Sequence, residues 1–452
     1  MTPLPQLRAA VHKAANASQD IVVPVGVSRT SKPSPVAMGC EAFAALCTAA
    51  RSCGNGVIEI TSRGSIQIRG LTEVSVKHFA AAVVGIDVAF CEGPPVLSDP
   101  LAGLDPQEAV NVGAIAADLR RAIAAAPFGV DIGPKVSVAI DGGGMLHLDA
   151  VAADVRMRAQ ASSAHLHVAV GGDAETATPI GAVAAEHAVE AAMRMLRVIA
   201  AGGPAARARD IVAMNGAAAL SSLITDILVD LPRPPRRAAA DPLGVHALRD
   251  GRVAIGIGVA FGHAHATALE KLTHAAADSG ATGLRTAPGR ALLVVGITEH
   301  SAERLADIAQ RLGFIVRADD PRRQIVACAG APICAAGEIS TRALAPSLAK
   351  AAIAGPDAPM VHLSGCAKGC ACPRSTPLTV VGIEGRCGVV VNGSARDKPL
   401  VTLMPEALPG ALSRCADGVR RLRAGDESIA EVLSRLDRAQ IMRLILGEAP
   451  RA

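Results

Sequence analysis

One stretch of this chain is written twice. Residues 54–75, Gly-Asn-Gly-Val-Ile-Glu-Ile-Thr-Ser-Arg-Gly-Ser-Ile-Gln-Ile-Arg-Gly-Leu-Thr-Glu-Val-Ser, align without a gap on residues 280–301, Gly-Ala-Thr-Gly-Leu-Arg-Thr-Ala-Pro-Gly-Arg-Ala-Leu-Leu-Val-Val-Gly-Ile-Thr-Glu-His-Ser. Both copies end in Gly-x-Thr-Glu-x-Ser, at Gly70 and Gly296. A repeat of this length obliges both segments to fold as one kind of unit. In each copy a helix-like stretch comes first (Cys40 to Cys53; Ala266 to Ser279), two strand-like runs follow, and a second helix begins after Ser75 or Ser301. Another apolar run lies upstream, Ile21 to Val27 and Val253 to Val259. The pattern predicts a strand-helix-strand-strand-helix unit, a ferredoxin-like half-domain, used twice.

The rest of the chain has a different rhythm. Lys135 to Ile140, His147 to Val151 and His165 to Val170 read as strands around the turn Asp141-Gly-Gly-Gly, with a helix over Pro179 to Ala201. Leu231-Pro-Arg-Pro-Pro-Arg-Arg-Ala-Ala-Ala is a Pro-rich basic linker that cannot continue a helix. Downstream, Gln324 to Cys328, Met360 to Leu363, Leu378 to Val381 and Cys387 to Val391 read as strands. Helix signals occupy Ser340 to Ala354, Pro405 to Leu422 and Ile429 to Ile445, with Asp426 as a cap for the last. The expected fold is α+β: a first half-domain over 1–100, an α/β domain over 101–230, the linker over 231–241, a second half-domain over 242–320 and a cysteine-bearing α/β domain over 321–452, with pseudo-twofold symmetry.

At 452 residues the chain exceeds one ordinary core. Its aromatic residues are six Phe, with no Trp or Tyr, so Ala, Val, Leu and Ile fill the interior. A net charge of +4 without a Lys/Arg tract gives nucleic-acid binding no support. Apolar stretches such as Ala80 to Phe90 fall short of the roughly eighteen residues that span a bilayer, so no membrane partner is expected. With no apolar leader after Met1 and an odd total of 11 cysteines, the expectation is a soluble protein of the reducing cytoplasm.

Four of those cysteines form two short pairs, Cys328-x5-Cys334 and Cys366-x3-Cys370, each directly after a strand-like run and in a loop rich in Gly, Ala and Pro. Four thiolates meet the requirement of a cubane iron-sulfur cluster, and small residues let the backbone approach such a core closely. Three other readings stay open. Structural zinc also takes four thiolates, usually at shorter spacings. Disulfides need an oxidising compartment. Free thiols pack as small hydrophobes.

Cys328-Ala-Gly-Ala-Pro-Ile-Cys, Ser364-Gly-Cys-Ala-Lys-Gly-Cys-Ala-Cys-Pro and Pro377-Leu-Thr-Val-Val-Gly resemble the cluster signature of the nitrite and sulfite reductase superfamily, and within it the precorrin-3B synthase family. The likeness extends to Ile58-Glu-Ile-Thr-Ser-Arg-Gly-Ser-Ile-Gln-Ile-Arg-Gly and Asp99-Pro-Leu-Ala-Gly-Leu-Asp, and so spans most of the chain. The resemblance implies a 4Fe-4S cluster on Cys328, Cys334, Cys366 and Cys370. It also implies an acidic tetrapyrrole in a basic cleft between pseudo-symmetric halves. In the synthases that macrocycle is precorrin-3A, hydroxylated at carbon 20 with closure of a lactone in aerobic cobalamin biosynthesis. The reaction takes O2 and an external electron donor, NADH or a reductase; a further non-haem iron is a possible addition. In the reductases the macrocycle is sirohaem, bridged to the cluster through the last cysteine, here Cys370. The alternatives are therefore a sirohaem-dependent sulfite or nitrite reductase, and an electron carrier that only holds a cluster.

Carboxylates on a macrocycle need fixed cations, and Arg meets a carboxylate through two parallel bonds. Arg63 and Arg69 would share one face if their strand runs unbroken. Lys135 matches a family position that supplies an anion-binding Lys. Arg156, Arg158, Arg285 and Arg290 are further candidates, each with surface pairing as its ordinary reading. Lys368, between two cluster ligands, is assigned a catalytic role beside cluster or substrate. His147, His165 and His167 read as ordinary histidines, because no carboxylate at ligand spacing completes an iron triad. The chain departs from the family at Cys372, where His is expected, at Ile21-Val-Val-Pro-Val-Gly-Val and Pro94-Pro-Val-Leu-Ser, which lack expected Arg residues, and at Pro288-Gly-Arg, where Pro-Trp-Arg is expected.

Overall fold

The computed structural model describes residues 21–25, 38–86, 93–126, 128, 131–160, 163–351 and 359–447. The first repeat unit runs β1 (Ile21–Val25), α1 (Cys40–Cys53), β2 (Val57–Ile60), β3 (Ile66–Leu71), α2 (Ser75–Val84). Its apolar spacing produces these elements directly. Helix α1 buries Phe43, Leu46, Cys47 and Ala50 on one stripe, and β3 buries Ile66 and Ile68 while Gln67 and Arg69 face the other way. An α/β half follows with β4 (Val96–Ser98), α3 (Val112–Ala125), β5 (Val138–Asp141), β6 (Ala153–Ala159), β7 (His165–Gly172), β8 (Thr178–Ala184), α4 (Ala188–Ala201), α5 (Ala208–Ser221) and β9 (Leu228–Val229).

The second unit comprises β10 (Gly244–Ala247), β11 (Val253–Gly258), β12 (His263–His265), α6 (Ala266–Asp278), β13 (Gly283–Ala287), β14 (Ala291–Ile297) and α7 (Glu299–Arg311). The second α/β half holds β15 (Ile325–Ala327), α8 (Thr341–Ala349), β16 (Val361–Ser364), β17 (Thr376–Ile383), β18 (Arg386–Gly393), β19 (Val401–Leu403), α9 (Leu408–Leu422), α10 (Ile429–Ser434) and α11 (Arg438–Leu446).

The two units have the same topology and are incomplete apart. Their sheets are ordered β1-β3-β2-β12 and β10-β11-β14-β13, so the last strand of each repeat is internal in both. Residues just before the first helix of each copy cross to the other copy: β12 pairs with β2, and Met38 bridges Leu284. Phe43, Ile58 and Phe79 share one apolar core with Ile257, Leu269 and Leu305, so each unit buries its helices against the other. The hairpin tips also touch, with Gly289 N donating to Ser62 O at 3.0 Å. Gly64, at φ +80, leaves no room for a side chain there, since a Cβ would stand 3.0 Å from the Ala287 carbonyl carbon.

The α/β halves repeat a second pattern. Parallel β4, β5 and β6 continue into antiparallel β7, β8 and β9; parallel β15, β16 and β17 continue into antiparallel β18 and β19. Among the described residues no helix is long and apolar enough to cross a membrane.

Local expectations differ from this in places. Pro179 to Ala184 is strand because it pairs with β7 and carries Gly181 at φ +156, so the helix starts only at Ala188. Strand β5 begins at Val138, leaving Lys135 in a turn, and His147 to Val151 is a loop knit to the linker by side chains. The last helix signal splits in two. Ser428, rather than Asp426, caps α10, and Asp437 opens α11, each with a capping box. Residues 26–27 and 352–354, which the sequence assigns to a strand and a helix, lie outside the described residues.

Candidate functional site

Both cysteine loops leave the C-terminal ends of adjacent parallel strands, and backbone bonds lace them together. Cys328 N donates to Leu363 O at 3.1 Å, Cys334 N to Gly330 O at 2.7 Å, and Glu338 N to Gly365 O at 2.8 Å. Thr341 Oγ1 holds Cys328 O and Ser364 Oγ holds Cys366 O, each at 2.7 Å. The glycines permit this closeness: a Cβ on Gly365 would stand 3.0 Å from Gly330 Cα and 3.2 Å from Gly337 Cα.

The four thiols act on one another. Burial pushes the Cys328 thiol up, Gly365 and Gly330 N–H groups pull it back, and Cys370 and Cys334 push it further. The Gly365 N–H lies 3.1 Å from Cys328 Sγ. Burial also raises Cys370, as do Cys366 and Cys334, while Lys368 and Lys135 lower it. Cys370 is exposed and the other three are half-buried. Among the described residues, Asp141, His147 and Asp149 alone form a group of three or more ligand atoms within 4.8 Å. Tetrahedral zinc would draw sulfurs to about 3.8 Å from one another. Thiols whose charges act on Cys328 and Cys370, and which form no group of three within 4.8 Å among the described residues, suit the larger core of an iron-sulfur cluster in a glycine-walled pocket.

Cations reach this pocket from both halves. Lys135, exposed in the turn before β5, and Lys368, exposed between Cys366 and Cys370, both act on Cys370. Arg63 sits in the hairpin between β2 and β3, so the unbroken strand that would align it with Arg69 does not exist. Its guanidinium lies 3.4 Å from Ser137 Oγ. Burial lowers its pKa, Arg207 lowers it further, and Asp154 opposes both. Arg207, which no sequence motif marks, is gripped by Asp154 through two bonds of 2.8 Å, and Asp154 also accepts from Ser137 N and Ala208 N. Arg69 is engaged by Glu59 at 2.6 and 2.8 Å and by Gln67 at 2.9 Å. Arg342 of α8 lies 3.9 Å from the same Glu59.

The other candidate arginines hold the scaffold. Arg285, 6% exposed, donates to Pro100 O and Ala102 O at 2.9 and 3.1 Å, and burial brings its pKa down to about 10. Arg156, 4% exposed, donates to Val151 O and to Leu148 O. Arg158 donates to Pro235 O at 2.6 Å and lies 3.7 Å from Asp149. Arg290 aligns with Gly64 and adopts the same left-handed backbone, φ +65, which is strained for a side-chain-bearing residue. Its guanidinium donates to Ala371 O at 2.8 Å and so anchors the second cysteine loop.

The linker is docked. Arg237 bridges Asp141 and Asp149, and His147 Nε2 contacts Ala238 O at 2.8 Å. Contrary to the sequence expectation, two carboxylates close in the chain, Asp141 and Asp149, do come within 4.8 Å of His147, but Arg237 bridges both. His167 binds Gln160 at 2.8 Å, and His165 stands apart on the same strand face. The three histidines do not form one metal site. Cys372 is buried, with its Sγ 3.8 Å from Arg374 O.

Comparisons with known proteins agree with this arrangement. No family model matches the chain. The chain is 36% identical over 400 residues to a precorrin-3B synthase of Sinorhizobium sp, an alignment covering 88% of this chain and 86% of that protein. It is 28% identical over 153 residues to sulfite reductase [ferredoxin] 1 of Mycolicibacterium paratuberculosis, covering 32% of this chain and 28% of that one. Its fold matches the NirA protein of Mycobacterium tuberculosis with a TM-score of 0.76 at 20% identity, over 93% of this chain and 85% of that one. With a duplicated core, two cysteine loops on adjacent parallel strands, and a relative at 36% identity over 88% of this chain and 86% of that protein, the chain belongs to the precorrin-3B synthase family.

Proposed function

We propose that this chain hydroxylates precorrin-3A, a carboxylate-rich tetrapyrrole, at carbon 20 and closes a lactone from its ring A acetate, consuming dioxygen and an electron pair from NADH or a reductase. The reading rests on one observation above the rest: the 36% identity over 88% of this chain to a precorrin-3B synthase, which the lowering of the exposed Cys370 thiol by Lys368 and Lys135, one from each half, accompanies. A 4Fe-4S cluster on Cys328, Cys334, Cys366 and Cys370 would supply single electrons there. Lys135, Lys368 and Arg63 would supply a cationic rim, with Arg207 held by Asp154 and acting on Arg63, suited to a substrate whose carboxylates point outward in several directions.

The chain's own groups keep that rim in place. Asp154 orients Arg207, Ser137 receives Arg63, and Arg290 fixes the loop that carries Lys368. Glu59 engages Arg69 and lies 3.9 Å from Arg342. A non-haem iron at Asp141, His147 and Asp149 would have to displace Arg237, so these residues do not fit it and no step is routed through that group.

The test is anaerobic purification with iron, sulfide and visible-spectrum analysis, then incubation with precorrin-3A, a reductant and 18O2. The expected product is heavier by one oxygen atom that carries the label. A strong macrocycle band in the purified protein, with reduction of sulfite or nitrite, would replace this reading with a sirohaem-dependent reductase.

A further inference from the structure

His362 lies in β16, the strand that feeds the second cysteine loop, and is 0% exposed. Neither ring nitrogen has a hydrogen-bond partner among the described residues. A native fold rarely leaves such a group unsatisfied, because the imidazole surrenders water and receives nothing in exchange. Its register neighbours do not serve it: Val326 is apolar, and Thr379 Oγ1 is used by Gly393 O at 2.7 Å.

The surroundings direct the ring at the cysteine loop. His362 shares a strand face with Ser364, whose hydroxyl holds Cys366 O at 2.7 Å. A Cβ on Gly369 would stand 3.7 Å from His362 Cε1, so the ring underlies the residue that precedes Cys370. Arg290, bound to Ala371 O in the same loop, is the nearby charge. Burial first, and Arg290 second, bring the His362 pKa down to about 4, so the ring is neutral and carries one N–H donor and one lone pair.

We infer that His362 is a positioning residue for the iron-sulfur cluster, its ring N–H donating to a thiolate of the Cys366–Cys370 loop when the four thiolates are gathered on the inorganic core. The inference rests on the cluster reading above. A hydrogen bond to a ligating thiolate drains negative charge and favours the reduced form, so His362 raises the cluster's reduction potential.

The test uses the cluster-loaded full chain, with 15N-labelled histidine, reduced for pulsed EPR and titrated for its midpoint potential. Wild type is expected to show a histidine nitrogen coupling to the cluster. His362→Leu should lose that coupling and shift the midpoint to a more negative potential at unchanged iron and sulfide content, and His362→Gln, which keeps an N–H donor, should move the potential back toward wild type. A cluster-loaded wild type without the coupling, or a His362→Leu protein with an unchanged potential, overturns the inference. If His362→Leu cannot hold a cluster, the wild-type coupling and the Gln potential decide. A wild type that binds no iron and sulfide overturns the cluster reading itself, a failure distinct from a cluster without a histidine partner.

Discussion

The two α/β halves put different chemistry on corresponding strand ends. In the first, the end of β5 and the loops after β4 and β5 carry Asp99, Asp105, Asp141, His147 and Asp149, and the linker's Arg237 closes over Asp141 and Asp149. In the second, the loops after β15 and β16 carry Cys328, Cys334, Cys366 and Cys370, with the charges of Lys368 and Lys135 lowering the Cys370 thiol. One pocket is satisfied from within and the other offers its donors outward. Burial and the nearby Asp141 hold Asp99 well above the usual carboxylate range. A duplicated scaffold thus divides its labour: internal ion pairs close one end, and the thiols leave the other open to a cofactor.

Breaking the open pocket has the largest expected effect. Replacing any one of Cys328, Cys334, Cys366 and Cys370 by Ser should abolish a full iron and sulfide complement, whereas Cys372→Ala should retain it, because the buried Cys372 thiol is engaged by Arg374 O. Metal and sulfide analysis of the five proteins checks this. Breaking the closed pocket comes next. Arg237→Ala leaves the fully buried Asp141 and its neighbour Asp149 without their cation and should cost about 3–5 kcal/mol, read as a lower urea midpoint.

Acid should act on the neutral histidines near the open pocket. His362 and His263 have pKa values lowered to about 4, the first by burial and Arg290, the second by burial and Arg342. Each folded-state value lies below the unfolded one near 6.5, so their contribution is complete above about pH 6.5 and is lost as pH falls toward 4. The cluster-free protein should lose on the order of 2–3 kcal/mol per histidine across that window. Urea titrations at several pH values, repeated on His362→Gln, measure it. The smallest effect sharpens the comparison at the rim. Lys135→Ala or Arg63→Ala should weaken macrocycle binding by about tenfold each, roughly 1.4 kcal/mol. Arg158→Ala should leave binding unchanged, since its guanidinium is bound to the linker at Pro235 O. Equilibrium titration with the substrate separates the two groups.

Much of this architecture is legible in order along the chain. The gapless repeat predicts two units of one topology, and the two strand-loop pairs of cysteines predict where a shared set of thiols lies. Spacing fails where partners come from far away. Arg63 and Arg69 look like neighbours on a strand, yet the hairpin sends one to Ser137 and the other to Glu59. Arg156 and Arg285 look like surface cations, yet they are buried on backbone carbonyls. The linker looks like a spacer, yet Arg237 is a structural ion. His362 attracts no notice in an apolar run, because its lack of a partner is a property of the packed interior.

By itself the sequence determined what is local or periodic: the duplicated strand-helix pattern, the glycine-rich cysteine loops and the donor atoms available for a cluster. Only the tertiary structure decided which cations are spent and which are left for a ligand. An arginine's charge is written in the chain, but its partner is set by which distant carboxylate or carbonyl is packed beside it, and that follows from two halves closing on one shared core.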